Sequence, residues 1–193
     1  MATGDLKNKK EEIEALVKLV QKGDHDAFSA LYDIYIDPIY KYVYYRVNNE
    51  DVEDLVETVF LKVWENIRKY KPKKKSFSAW IFRITHNLVV DYYRASKDKN
   101  YEELKIEVPD YKREHNPIRN AERSLDNDAL KKALKNLKKS YRDIIIYKFI
   151  NELTNSEISE LLKKSEGSLR ILQYRALKAL RRELEEMGMN YKF

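Results

Sequence analysis

The chain has 193 residues, 43% of them apolar, enough for one domain or two small ones with modest cores. Four Gly and four Pro against abundant Lys, Glu, Leu and Ile indicate an all-α protein, and the absence of Cys excludes disulfides, thiol nucleophiles and cysteine-held zinc. His25, His86 and His115 are too scattered for a metal site, and no apolar run approaches a signal core or a membrane span, so a cytoplasmic protein with no cofactor or metal is expected.

A first helix over about residues 11–22 carries Ile13, Leu16, Val17 and Val20 at helical spacing, and Gly23-Asp24 reads as its stop and the next cap. A second, over 26–47, is rich in aromatics, with Phe28, Leu31, Tyr32, Tyr35, Ile39, Tyr42 and Val43 on one stripe and Asp37-Pro38 marking a kink or restart. A third, over 51–69, turns Leu55, Val59, Val63 and Ile67 inward with Phe60 and Trp64 beside them.

The net charge of +6 is unevenly spread. Residues 48–67 hold six acidic side chains against Lys62, whereas 68–97 hold nine basic ones against Asp91. Opposite signs on neighbouring segments fit two partners, one basic and one anionic. They also fit solvated faces that pair with each other, and acids in the first turns of the third helix suit its dipole.

The lysine-rich loop at 71–76 then enters a fourth helix on which Phe77, Ile81, Ile84 and Leu88 form the buried stripe. Trp80, Arg83, Asn87 and Arg94 share an adjoining one. A stacking plane, a guanidinium and an amide behind a row of lysines suit single-stranded nucleic acid, since aromatics stack on bases and lysines hold phosphates. The alternative is a Trp80 at the core margin and an Arg83 paired with a carboxylate.

From 98 to 124 apolar periodicity is lost, Pro109 and Pro117 interrupt, and seven acidic residues nearly cancel six basic ones, which reads as a flexible linker. A second helical unit follows over 125–187. Leu130, Leu134 and Leu137 belong to one of its helices, and Ile144, Ile145, Tyr147 and Phe149 to the next. Thr154 with Glu157 then forms a capping box, Ile158, Leu161 and Leu162 point inward, Lys163-Lys164-Ser165 make a turn, and Ser165 or Gly167 starts a helix burying Leu169, Leu172, Ala176 and Leu180. Its other side carries Arg170, Gln173, Tyr174, Arg175, Lys178 and Arg181. Arginine and glutamine on the second helix of a helix-turn-helix can read base edges in a major groove; a plain helical hairpin is the alternative.

The segments GDHDAFSALY, DVEDLVETVFLKVW and FSAWIFRITHNLVVDYYR, followed by LKNLKKSYRDIIIYKFINELTNSEISELL and GSLRILQYRALKALRREL, resemble in order and spacing a bacterial RNA polymerase sigma factor of the two-domain, extracytoplasmic-function type. The resemblance implies a tail at 1–10, sigma domain 2 at 11–97, a linker at 98–124, sigma domain 4 at 125–187 and a tail at 188–193. It implies binding of core RNA polymerase, through the clamp helices of its beta-prime subunit, by Asp51, Asp54 and Glu57. Minus-ten promoter contacts fall on Lys73, Lys74, Lys75, Trp80, Phe82, Arg83, Asn87 and Asp91. Minus-thirty-five contacts fall on Arg170, Ile171, Gln173, Tyr174, Arg175 and Lys178. The implied function is promoter recognition, melting and transcription initiation with no enzymatic activity, with an anti-sigma factor as a further partner; a stand-alone helix-turn-helix regulator is the alternative. Three departures stand out: Glu57-Thr58 where the family often has Gln-Glu, Ile171 where a small polar residue is usual, and repeated Tyr for aliphatic residues from Tyr32 to Tyr45.

Overall fold

The computed structural model describes residues 2–72, 76–98 and 117–189, and among these every regular element is helical. The order is α1 (Ala2–Gln21), α2 (His25–Tyr44), α3 (Val52–Asn66), α4 (Phe77–Asp98), α5 (Pro117–Asn136), α6 (Lys139–Ile145), α7 (Asn155–Leu162) and α8 (Glu166–Glu186). Short 3₁₀ turns flank α3, and a π turn over Ile146–Ile150 extends α6.

The first four helices pack in sequence, α1 on α2, α2 on α3 and α3 on α4, because each neighbour presents its apolar stripe across a short connection. Gly23 stops α1 with φ 97°, a conformation that strains residues with a Cβ. Asp24 then caps α2, its carboxylate accepting from the Ala27 amide at 2.9 Å. Pro38 does not restart the chain: α2 runs continuously through it, with Tyr35, Ile39, Tyr42 and Val43 buried on either side. Gln21 fastens the end of α1 to the end of α3 by donating to the carbonyls of Ile67 and Tyr70.

In the second unit α5 and α6 pack on α8, and α7 closes the bundle. Helix α5 begins at Pro117, eight residues ahead of the expected domain start, because proline at a first helical position lacks only an amide that would be unpaired anyway. The remainder of the expected linker, 99–116, lies outside the described residues, as do Lys73, Lys74 and Lys75.

Thr154 and Glu157 form the reciprocal capping box of α7, with the Thr154 amide donating to the Glu157 carboxylate at 2.9 Å and the Glu157 amide to the Thr154 hydroxyl at 3.2 Å. The turn after α7 bends at Lys163, whose φ of 53° takes the left-handed conformation usually given to glycine. Ser159 Oγ donates to the Lys164 carbonyl at 2.6 Å and holds that turn in place. Ser165 caps α8.

The two bundles do not stand apart. Their buried residues join in one continuous apolar cluster, with α7 packed along α4 and the π turn against α2.

Candidate functional site

Three surfaces carry the side chains singled out from the sequence. The first is a groove between α2 and α3, floored by Phe28, Tyr32, Ile36, Val56 and Phe60 and bordered by Tyr40, Leu61 and Trp64, with Glu53 and Glu57 on its rim. Its apolar walls are built from rings in contact: Trp64 meets Phe28 edge-on at 4.9 Å between centroids and His25 at 5.1 Å, and Tyr32 lies 4.5 Å from Phe60. Leu61 is 55% exposed and Trp64 38%. Asp54 and Glu57 are exposed one turn apart beside it. Asp51 is differently employed, since its carboxylate accepts the Tyr92 hydroxyl proton at 2.7 Å and ties α3 to α4.

Sequence reasoning found the acids of this surface and missed its apolar part. Leu61 and Trp64 sit three apart and outside the buried stripe of Val56, Val59, Val63 and Ile67, so large apolar residues on a polar helix face were the available signal.

The second surface is the α4 stripe. Ser76 caps the helix, its hydroxyl accepting from the Ala79 amide at 3.1 Å. Asn87, Asp91 and Arg94 are exposed, the last two paired at 3.3 Å. Trp80 is half-buried, packed against Tyr70 and Phe77 at 5.3 and 5.4 Å. Phe82, expected among the base-contacting residues, is a core residue at 1% exposure, wedged against Tyr42 and Tyr147. It lies one position from Ile81 and the wide apolar face of α4 takes in both, together with Thr85 and Val89.

Arg83 is neither free nor paired with a carboxylate. Its Nη2 donates to the carbonyls of Glu160 at 2.9 Å and Leu161 at 3.0 Å. These carbonyls belong to the last turn of α7, where the helix has no internal donors left for them and the dipole is negative. The fit is incomplete: Arg83 Nε and Glu160 Oε2 are buried there without a hydrogen-bond partner in the protein, at a typical cost of about 1–3 kcal/mol for each such group.

The third surface is the outer face of α8, where Arg170, Ile171, Tyr174, Arg175 and Lys178 are all exposed, Tyr174 at 69%. Gln173 is the exception; it is half-buried and donates to Asn155 Oδ1 at 3.0 Å, joining α8 to the start of α7. The helix is anchored from below by the buried Leu169, Ala176, Leu180 and Leu184.

Comparison with known proteins matches Sigma-70 region 2 over residues 31–99 and Sigma-70, region 4 over residues 127–180. The ECF RNA polymerase sigma factor SigW of Bacillus subtilis is 32% identical over 187 residues, which is 91% of this chain and 98% of SigW. The chain belongs to the ECF RNA polymerase sigma factors. It is therefore a transcription-initiation factor, and the two regions in this order disfavour a stand-alone helix-turn-helix regulator. BldN of Streptomyces coelicolor, from the same family, is 34% identical over 89% of this chain, which spans 65% of BldN's length. The sigma factor RpoE of Bartonella quintana, solved in complex with the anti-sigma factor NepR, shares the fold with a TM-score of 0.64 at 20% identity, over 82% of this chain and 96% of RpoE. No helix among the described residues is long and apolar enough to cross a membrane.

Within this sigma factor the tyrosines at and just beyond the end of α2 acquire a structural role. Their hydroxyls form a row of contacts between the region 2 and region 4 bundles: Tyr42 with Tyr147 at 3.1 Å, Tyr44 donating to Asp128 at 3.1 Å, and Tyr45 donating to Asn127 at 3.2 Å. Beneath the row Arg46 is paired with Asp143 at 2.9 Å, with side-chain exposures of 4% and 9%. The Arg46 guanidinium also lies 3.6 Å from the Tyr42 ring centre. Burial favours the neutral form of Arg46, but Tyr42, Asp143 and Tyr147 outweigh it and raise its pKa.

His86 of α4 completes this seam, its Nδ1 lying 3.0 Å from the Tyr42 hydroxyl. Unprotonated, Nδ1 accepts the Tyr42 proton; protonated, it cannot. Burial lowers the His86 pKa from 6.5, Asp143 opposes that, and Arg46, Lys139 and Arg83 reinforce it. The docked seam thus favours the neutral imidazole, and its stability is fully present above pH 6.5 and declines as the pH falls below that value. Protection of the α7 and π-turn amides against hydrogen exchange, taken relative to the intrinsic rate at each pH, is expected to fall on acidification through this range, and His86→Gln should remove the part of the fall due to this group. An equal loss of protection in both proteins would mean that other groups control it.

Proposed function

We propose that this sigma factor binds core RNA polymerase through the α2–α3 groove, with its Leu61–Trp64 apolar border and the acidic side chains Asp54 and Glu57. It then directs promoter recognition, melting and initiation in the cytoplasm, without catalysing any reaction itself. The exposed face of α8 reads the minus-thirty-five element in the duplex, through Arg170, Ile171, Tyr174, Arg175 and Lys178. The α4 stripe, chiefly Trp80, Arg83 and Asn87, holds melted minus-ten bases. The three lysines before α4 add phosphate contacts in this reading.

The observation that carries the proposal is the conjunction of matched regions 2 and 4 with a basic, outward-facing second helix of a capped helix-turn-helix. Arg170, Tyr174 and Arg175 all lie exposed on that face. An anti-sigma factor of this chain would cover the groove or one of the DNA faces, as a partner of that kind is bound to the Bartonella relative.

Copurification with core polymerase followed by run-off transcription from genomic fragments tests the proposal. Discrete transcripts that require the protein are the expected result. Single small recognition modules gain little over non-specific binding, so the free protein should bind duplex DNA weakly at physiological salt. Tight sequence-specific duplex binding without polymerase, and no polymerase-dependent transcript, would overturn it.

A further inference from the structure

The outer face of α8 carries more than the cations that DNA phosphates require. At about 100° per residue, Ile171 and Tyr174 lie about 60° apart, astride the line opposite the buried Leu169, Ala176 and Leu180. Arg170 and Arg175 stand on the two flanks. Ile171 is 57% exposed and Tyr174 69%, so the middle of a basic face is an apolar pair turned outward.

Gly167 falls between the two on the same face, one turn nearer the start of α8. A Cβ at that position would have no neighbour within 4 Å, so packing inside the protein does not call for glycine there, and glycine is a poor helix former. What the bare backbone offers is room outside the helix. A surface brought against α8 can come closer here than a larger side chain would allow, and the N-terminal residues of the second helix are those that meet base edges in a helix-turn-helix.

The major-groove edges of the base pairs present donors, acceptors and one apolar group, the C5-methyl of thymine. The Ile171 side chain can neither donate nor accept, so against any other edge it would shield polar groups from water without pairing them. Against the methyl, two apolar surfaces leave water together. We propose that this sigma factor reads its minus-thirty-five element partly by apolar contact: Ile171 packs on the C5-methyl of a thymine, with the Tyr174 ring beside it and Gly167 letting α8 approach closely. Arg170 and Arg175 hold the duplex from either side, so they carry affinity and Ile171 carries the choice of thymine. The inference rests on the assignment of the outer face of α8 to the minus-thirty-five duplex and adds the chemical group that Ile171 selects.

Deoxyuridine in place of thymine removes the methyl and keeps every hydrogen-bonding group, so it isolates this contact. The probes are duplexes of a promoter located by run-off transcription, each with one thymine of the upstream element, on either strand, replaced by deoxyuridine. The concentration of full-length protein with core polymerase that half-saturates each duplex is measured. One position should lose about fourfold, the worth of one buried methyl group. Ile171→Ser should bind the thymine and deoxyuridine duplexes equally, whereas Ile171→Val, which keeps a branched apolar end, should keep the difference. Ile171→Gln, a better helix former than serine, gives the same reading should Ile171→Ser lose helicity. No loss at any thymine overturns the inference, as does a loss that persists in full in a folded Ile171→Ser or Ile171→Gln protein. Gly167→Ala should keep its helicity and yet weaken binding to every duplex; unchanged binding would overturn the close approach.

The double variant Arg170→Ala/Arg175→Ala separates methyl readout from the assignment beneath it. Weaker binding of the double variant to all duplexes, with no deoxyuridine effect in the unaltered protein, rejects methyl readout and keeps α8 on the element. Unimpaired binding by the double variant takes α8 off the element and the inference with it.

Discussion

Replacing Asp54 and Glu57 together by lysine should abolish recovery of core RNA polymerase while leaving the free protein folded. Both side chains are exposed on α3, one turn apart, beside the groove formed with α2. Their contribution to the free protein is support of the α3 dipole, about 0.3–1 kcal/mol each and less at the second turn than the first. Against basic clamp helices, the reversal turns attraction into like-charge contact costing several kcal/mol, so the pull-down should lose the core enzyme rather than weaken by a margin. Circular dichroism of the double variant controls for folding. A folded variant that recovers core enzyme as the unaltered protein does would move the docking surface away from these acids and leave the apolar border, Leu61 and Trp64, as the surface to examine.

Asn87→Ala and Arg83→Ala should both weaken open complexes, by about 1–3 kcal/mol each where the side chain contacts a base, but they should part company in the free protein. Asn87 is exposed on α4, so its truncation leaves thermal melting unchanged. Arg83 donates to two α7 carbonyls, and removing it leaves those carbonyls unpaired while also relieving the unpartnered Nε. Arg83→Ala should therefore loosen α7 from α4 as well as shorten the lifetime of heparin-resistant complexes. Lifetimes measured beside melting curves separate the two effects. Unchanged lifetimes for Asn87→Ala would remove the stripe from the promoter.

How far the sequence goes differs between elements. Helical periodicity alone places α2 to α4 and the second half of α1, because each has a stripe of Val, Ile, Leu or aromatic residues repeating every three or four positions; α1 begins at Ala2, within the expected tail at 1–10, where no such stripe announces it. The turn of the helix-turn-helix is legible for a local reason too, since a capping box and a serine cap act within a few residues of each other. Local chemistry also explains the errors. Pro117 reads as a break in the chain, yet its position at the start of α5 makes it a favourable first residue; the resemblance to the family puts Phe82 among the minus-ten contacts, whereas packing of α4 on both α3 and α7 gives it a wide buried face that includes Phe82.

What no local pattern holds is the pairing of residues distant in the chain. The sequence by itself determined the all-helical class, the basic face of α8 and the acids of α3, since these follow from composition, spacing and charge along single helices, and the order of the two regions through the resemblance of its segments to the family. Only the tertiary structure decided that the α2 tyrosines form a seam, that Arg46 and Asp143, 97 positions apart, meet as a buried pair, and that Arg83 serves the end of α7. The reason is physical: whether a charged or phenolic side chain on a helix faces water or a partner depends on what another part of the chain brings within about 3 Å of it, and a periodicity carries no record of that partner.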